Sequence, residues 1–358
     1  MPSLKEIKGR INSISSTLAI TSAMKMVAAA KLQKAQMAIQ NMLPYERRLY
    51  SMLVDLMGAM NISAAASEDG SVRGSGSAER GFDKSGDRLS LSNRHDLAGM
   101  DGAYSLMAQR EVRKVAIVAF ASNSSLCGAF NSNAIREATA VINEYRASGL
   151  RDSDIVVYSV GRKMAEAMRK LGFPSPADFT KMSDSPSYEA ASALAQELLD
   201  GFVSGRFDKV ELVYNHYKST SSQPTIRQTY LPLSLADATA DIQVGKITDS
   251  ASESDTNRGA EPVGAPVVRQ GSPTTEDLIV EPSKEALIAT LLPKVIRLRI
   301  FTTLLDSAAA EHAARTVAMQ LATDNGNDLL QELTLEYNKG RQQKITSEIL
   351  DLVGGSLQ

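Results

Sequence analysis

The sequence predicts an α/β architecture: an antiparallel coiled coil of long N- and C-terminal helices, plus a Rossmann-like α/β domain with a mostly parallel sheet. Three observations predict it. Apolar and small residues recur at alternating steps of four and three through both ends of the 358-residue chain. Short apolar runs alternate with amphipathic stretches in the middle, the pattern of strands crossing to helices. Trp is absent and aromatics are 5% of the chain, which favours long helices over a β-rich core.

The elements follow in order. Residues 1–60 read as one helix. Ile7, Ile11, Ile14, Leu18, Thr21, Lys25, Ala28, Leu32, Ala35, Ile39 and Met42 form a heptad seam. Residues 4–58 would span roughly 80 Å as a helix. Pro44 removes one backbone donor and is the expected point of any kink. Residues 62–108 lose the periodicity. Their extreme, SEDGSVRGSGSAERG, cannot bury enough apolar surface to offset chain entropy, so this tract reads as a disordered or loosely folded insertion.

Order returns in 110–235. VRKVAIVAFA (112–121) and DIVVYSVG (154–161) read as buried strands. Stretches 129–149, 162–172 and 187–205 read as helices. DKVELVYNHYKS (208–219) and PTIRQTYLPL (224–233) are strands joined by so few residues that they must be antiparallel neighbours. A second Ser/Asp/Gly/Pro-rich tract covers 240–276. Helical patterning then resumes over 284–358, with roughly 70 residues worth about 105 Å. Leu298, Leu305, His312, Met319, Gly326 and Leu333 recur every seven residues, flanked by Ala308, Ala322 and Leu330. Small residues in both seams (Ala28, Ala35, Ala308, Ala322, Gly326) would let two backbones approach closely.

Several function classes fall away. A net charge of −2 offers nothing global to nucleic acid or a membrane surface. No run of 18 apolar residues exists for a transmembrane helix, and the start lacks a secretory or transit pattern. The lone Cys127 cannot make an internal disulfide and fits a reducing compartment. No G-x-x-x-x-G-K-[ST] loop occurs, and GSGSAERG at 74–81 has the wrong spacing for a dinucleotide fingerprint. His95, His216 and His312 stand apart, without a second ligand at metal spacing. Cys127 within SLCGAFN invites a nucleophile reading, but no His or Asp falls at a position suggesting a triad. A small residue in a strand-to-helix turn, with Gly128 supplying the backbone angles, is the favoured reading. No catalytic, cofactor-binding or metal-ligating residue is therefore expected.

Charge is unevenly spread. Residues 1–48 carry eight basic side chains against Glu6 and Glu46, a net +6 in a chain that is −2 overall. A solvated helix face is the bland explanation. Lys25, however, sits on the seam itself, and Ile20, Met24 and Val27 form a second apolar stripe. Such a helix wants a partner beyond its coil mate.

Three motifs carry a resemblance. ITSAMKMVAAAKLQKAQ (20–36) resembles the first helix of the gamma-subunit family of rotary ATP synthases. SLCGAFNSN (125–133) is similar to that family's Gly-Leu-Cys-Gly-aromatic-Asn turn, with Ser125 in place of the first Gly. Residues 311–355 resemble its C-terminal signature throughout. The likeness covers roughly 1–60, 110–235 and 284–358, leaving the two polar tracts outside it.

The resemblance implies a rotating central stalk that couples proton flow to ATP synthesis or hydrolysis, without a catalytic site or cofactor of its own. Its implied partners are three alpha and three beta subunits, an epsilon subunit and the c-ring. The implied location is peripheral, on the cytoplasmic face of a bacterial membrane. Carried over position by position, Arg341, Gln342 and Thr346 match polar contacts to a beta-subunit loop. Ile349, Leu350, Leu352 and Val353 match the apolar surface seated in the hexamer's sleeve. Met24 and Lys25 match the Met-Lys pair near an acidic beta-subunit lever. Plastid members carry a dithiol switch, which a chain with Cys127 alone cannot. Two other readings compete: a tether displaying an α/β module, which would self-associate through its seams, and an α/β hydrolase or transferase with a helical arm, which would be active alone.

Overall fold

The computed structural model describes residues 3–68, 106, 110–233, 280–281 and 283–355. Helix α1 (Leu4–Glu68) and helix α6 (Lys284–Gly355) are the chain's two ends. Between them lie β1 (Val115–Phe120), α2 (Phe130–Ala147), β2 (Ile155–Val160), α3 (Arg162–Lys170), the short α4 (Thr180–Asp184), α5 (Tyr188–Val203), β3 (Lys209–Asn215) and β4 (Thr225–Leu231).

Local chemistry starts the helices. Ser3 and Glu6 have capping-box spacing, and the Glu6 amide donates to Ser3 Oγ at 3.3 Å. Ser187 accepts from the Ala190 amide and Ser283 from the Ala286 amide, at 3.3 and 3.1 Å. Helix α1 runs unbroken through Pro44 and continues eight residues past the predicted end at 60, to Glu68. The remainder of the first polar tract, apart from Leu106, lies outside the described residues, as does all of 240–276.

The sheet has the order β2-β1-β3-β4. β1 pairs in parallel with β2 and β3, and β4 closes the edge antiparallel to β3, as the short link required. Both faces are covered, which is why VAIVAF is apolar without alternation. Val115, Ile117 and Ala119 face α2 and α3, packing with Ala138, Ile142, Met164 and Met168. Ala116, Val118 and Phe120 face the other way, toward Leu194, Leu198 and Phe202 of α5. Gly161 begins α3 at φ +98°. A Cβ there would sit 2.0 Å from the Ala121 carbonyl oxygen, so the turn out of β2 requires glycine.

The second face also contains the base of the coil. Leu49, Tyr50, Leu53 and Leu56 of α1 share its core with Ile288, Leu292, Val295, Ile296 and Ile300 of α6. The Tyr230 hydroxyl of β4 donates to the Ile296 carbonyl at 2.9 Å. The sequence reading separates head and coil into 110–235 and two flanking helices. Structurally the base of the coil is one layer of the head.

Candidate functional site

Above that base, α1 and α6 run antiparallel in a single register. Thr323 Oγ1 donates to Thr21 Oγ1 at 3.1 Å. Gly326 faces Leu18 and Gly340 faces Leu4, so each step up one helix is matched by a step down the other. A Cβ on Gly326 would lie 2.6 Å from Leu18 Cδ2, so the Leu18 side chain occupies the space that a larger residue there would need. All eleven predicted α1 seam positions are buried or half-buried, as are Leu298, Leu305, His312, Met319, Gly326 and Leu333 of α6. Between the histidine-bearing stretch of α6 and α1, Leu32 packs on Ala309 and Ala313.

The head grips this shaft on two sides. The turn after β1 carries Leu126 at φ +67° and Gly128 at φ +59°, the backbone freedom expected of that glycine. Cys127 and Phe130 pack on Ala310, and Arg315 donates to Ser124 Oγ at 2.7 Å. Cys127 is buried and lies 3.1 Å from Asn131 Nδ2, a packed residue within a polar turn. On the other side, at the corner between β3 and β4, His216 Nδ1 lies 2.6 Å from Asp306 Oδ2, and the Tyr217 amide donates to Asp306 Oδ1 at 2.9 Å. Donation of that hydrogen bond to Asp306 raises the His216 pKa against the opposing effect of burial.

Two buried titratable groups escaped sequence reasoning in their roles. Glu211 lies inside the sheet layer, where burial alone would raise its carboxyl. Arg227, Lys209 and Tyr145, all within 2.7 Å, outweigh burial and hold it below the ordinary range. This saturated cluster fixes the sheet to α2. His312 is on the seam, and burial, with the nearby charges of Arg315 and Lys31, pushes it down to about 4. His95 lies outside the described residues.

The predicted contact residues fall into two separate patches. Helix α1 begins at Leu4, level with Gly340, so the last 15 residues of α6 project beyond it by roughly 22 Å. Arg341, Gln342, Thr346 and Ile349 lie on this overhang within a stretch, 341–350, that is exposed throughout, and Leu352 is exposed too. The side chain of Val353 lies outside the described residues. At ~100° per residue, Ile345, Ile349 and Leu352 point about 120–180° away from the direction of Gly340. The tip stripe is therefore not a continuation of the coiled-coil seam. Thr346 donates to the Gln342 carbonyl at 2.9 Å, and Lys344 pairs with Glu348 at 3.8 Å. Met24 and Lys25 are half-buried on α1, with Ile20, Met26 and Val27 exposed beside them. Register places them level with Met319, roughly 33 Å below Arg341. The structure does not bring the two patches together; it arrays them along one rod.

A rod made from the two ends of a chain, with a free helical tip and an α/β head, has the architecture of a stalk protein. The family model described as ATP synthase matches residues 3–357. ATP synthase gamma chains of Phocaeicola vulgatus and Bacteroides thetaiotaomicron are 46% and 44% identical, each aligned over 100% of both chains. The chain belongs to the ATP synthase gamma chain family, whose place in the synthase is the central stalk. Chains in cryo-EM structures of the Euglena gracilis mitochondrial ATP synthase share the fold at 18% identity. One, from an OSCP/F1/c-ring assembly, has a TM-score of 0.54 and covers 99% of this chain and 93% of its own. The other, from a rotor, has a TM-score of 0.51 and covers 96% and 98%.

These matches correct one expectation. The two polar tracts were read as lying outside the family likeness. The family match runs through both, and relatives aligned end to end include them. The tracts therefore fall within the likeness, not outside it. Polar, aperiodic residues had simply left no motif there to recognise.

Proposed function

We propose that this subunit, without a catalytic site of its own, transmits rotation between a proton-driven c-ring and a hexamer of three alpha and three beta subunits, with an epsilon subunit on its head. The observation that carries this reading is the α6 overhang. Fifteen helical residues extend past their coil mate with Ile345, Ile349, Leu350 and Leu352 48–74% exposed. Exposed aliphatic side chains of this density call for a partner surface, and aliphatic contacts carry little directional bonding, so they suit a sleeve in which a shaft turns. Arg341, Gln342 and Thr346 form a polar collar just below, matched to a beta-subunit loop. Met24 and Lys25, on the net-positive first helix, form a second contact to an acidic beta-subunit element, where complementary charge favours encounter and register.

The described residues contain no helix long and apolar enough to cross a membrane. We place the subunit peripherally on the cytoplasmic face of a bacterial membrane, held there by the membrane sector.

The test is the purified synthase carrying Arg341→Ala with Gln342→Ala. One copy of the chain per hexamer is expected, with ATP synthesis falling at least several-fold relative to hydrolysis. Normal coupling in the double variant would show that these residues only flank the coil. Self-association of the chain through its seams, without a nucleotide-binding hexamer, would favour a tether instead.

A further inference from the structure

We propose that the corner between β3 and β4, through His216, Tyr217 and Asp306, is the torsional key that locks the shaft to the head; this rests on the rotating-stalk reading. Two kinds of contact hold the shaft to the head, and they resist different motions. Most of the base is an aliphatic core, with Leu49, Leu53, Leu292 and Val295 as typical members. Such contacts resist separation strongly, but they are non-directional and oppose rotation about the shaft axis only through shape. Hydrogen bonds have preferred angles and lengths, so they resist sliding as well as separation.

The polar bonds of this corner meet those needs together. Both carboxylate oxygens of Asp306 are engaged, one at 2.6 Å from His216 Nδ1 and one accepting from the Tyr217 amide at 2.9 Å. The His216 amide donates to the Pro224 carbonyl at 2.8 Å, joining the corner to the start of β4 and so to the sheet. The hydroxyl of Tyr217 accepts from Gln36 Nε2 of α1 at 2.6 Å. One corner of the head therefore holds both strands of the shaft, α6 through Asp306 and α1 through Gln36.

Placement strengthens the case. The Tyr217 ring packs against the cluster of Leu32, Ala309 and Ala313 and also against that of Cys127, Phe130 and Ala310. It is wedged where α6 leaves the head core, whose last buried α6 member is Leu304. Torque passing between head and shaft must cross this level. The residues are positioning residues. They touch no nucleotide and act by keeping the angle of the rod fixed to the angle of the head.

The test uses the complete synthase with its hexamer immobilised and a probe on the head of this subunit. Asp306→Asn keeps the shape and removes the charge. Tyr217→Phe keeps the ring and removes the bond to Gln36, together with a long contact to Thr220 Oγ1 within the corner itself. During pauses in ATP-driven rotation, the variance of the probe angle is expected to rise at least twofold in each variant and further in the double variant. ATP hydrolysis without load should stay within about twofold of wild type, while protons pumped per ATP should fall. Wild-type variance in both assembled variants would overturn the proposal. Should Asp306→Asn fail to assemble, Tyr217→Phe alone decides in the same terms. If the wild-type head does not rotate against its hexamer under ATP, the stalk reading fails, an outcome distinct from a stiff variant.

Discussion

Along one helix, the same residue types meet opposite surroundings. At the base of α6, Leu292 and Ile296 are 0% and 1% exposed, sealed among α1, α5 and the sheet. At its tip, Leu350 and Leu352 are 64% and 74% exposed. Nothing in the side chains distinguishes them. The difference is where neighbouring elements stop. Helix α1 ends at Leu4, and the head covers only the far half of the shaft. The base spends its aliphatic residues on holding the subunit together, whereas those of the tip stay open to the partner surface proposed above. Stability and the proposed contact are thus separated along about 100 Å of helix.

The sharpest way to break that comparison is to truncate one residue of each kind. Leu292→Ala is expected to destabilise the isolated subunit by about 2–5 kcal/mol, through lost burial and a residual cavity. Ile349→Ala should cost less than ~0.5 kcal/mol in the same urea titration. In the assembled synthase the order of functional damage per unit of lost stability should reverse. Equal unfolding midpoints for the two variants would mean that the base is not the structural region described.

Gly326 probes the ground between. It lies against Leu18 with no room for a branched neighbour. Gly326→Leu should cost about 1–3 kcal/mol by forcing the helices apart, despite leucine's better helix propensity. Gly340 is close only to Leu4 at the end of the coil, at 3.2 Å. Gly340→Ala should be neutral or stabilising by up to ~1 kcal/mol. If circular-dichroism melts rank these two the other way, the Leu18 side chain is not held against position 326.

The two described histidines sharpen the picture by the smallest effect, and with opposite signs. The pKa of His216 is raised in the fold, chiefly by its hydrogen bond to Asp306 and against the nearby Lys218. The stability contributed by Asp306 to this pair should be fully present below the ordinary histidine pKa of about 6.5. It should fade as pH rises through the folded value. His312 is depressed to about 4 by burial, then by Arg315 and Lys31. Its neutral form supports the fold above about 6.5, and stability is lost as pH falls toward 4, because the unfolded chain takes up the proton first. Urea midpoints across pH 4–8 should show the Asp306→Asn deficit shrinking at the alkaline end. A His312→Leu variant should have a flatter acid limb. A deficit that grows with pH would contradict the ion pair.

Much of this was legible in the residues, for a physical reason that differs by element. The α1 seam read from Ile7 to Met42 is covered at every position because heptad spacing is a local property of one helix. Strands β1 and β2 were recognisable because burial on both faces leaves a nearly uninterrupted apolar run, VAIVAF and IVVYSV. The antiparallel pairing of β3 and β4 followed from the length of their link. The relative register of α1 and α6 was not legible, since two heptad seams can slide by seven residues and still match. It becomes definite only through contacts such as Gly326 with Leu18 and Thr21 with Thr323, which lie 302 or more positions apart in the chain. For the same reason the grip of Asp306 on His216 and Tyr217 was invisible, and so was the merging of the coil's base with the head. The site residues of the tip came from resemblance. Their exposure, and the rotation of their stripe away from the seam, came from geometry.

The pairing of Leu4 with Gly340 has a consequence for biosynthesis. Helix α1 leaves the ribosome long before the residues that cover its lower-numbered half. Until those are made its seam waits uncovered, and closing it is a contact of very high sequence separation. A leucine zipper in that position would invite nascent chains to pair with one another. Threonine, lysine and alanine at Thr21, Lys25, Ala28 and Ala35 make the waiting helix a poor partner for its own kind. The weakness of the seam keeps newborn chains apart until each can close on itself.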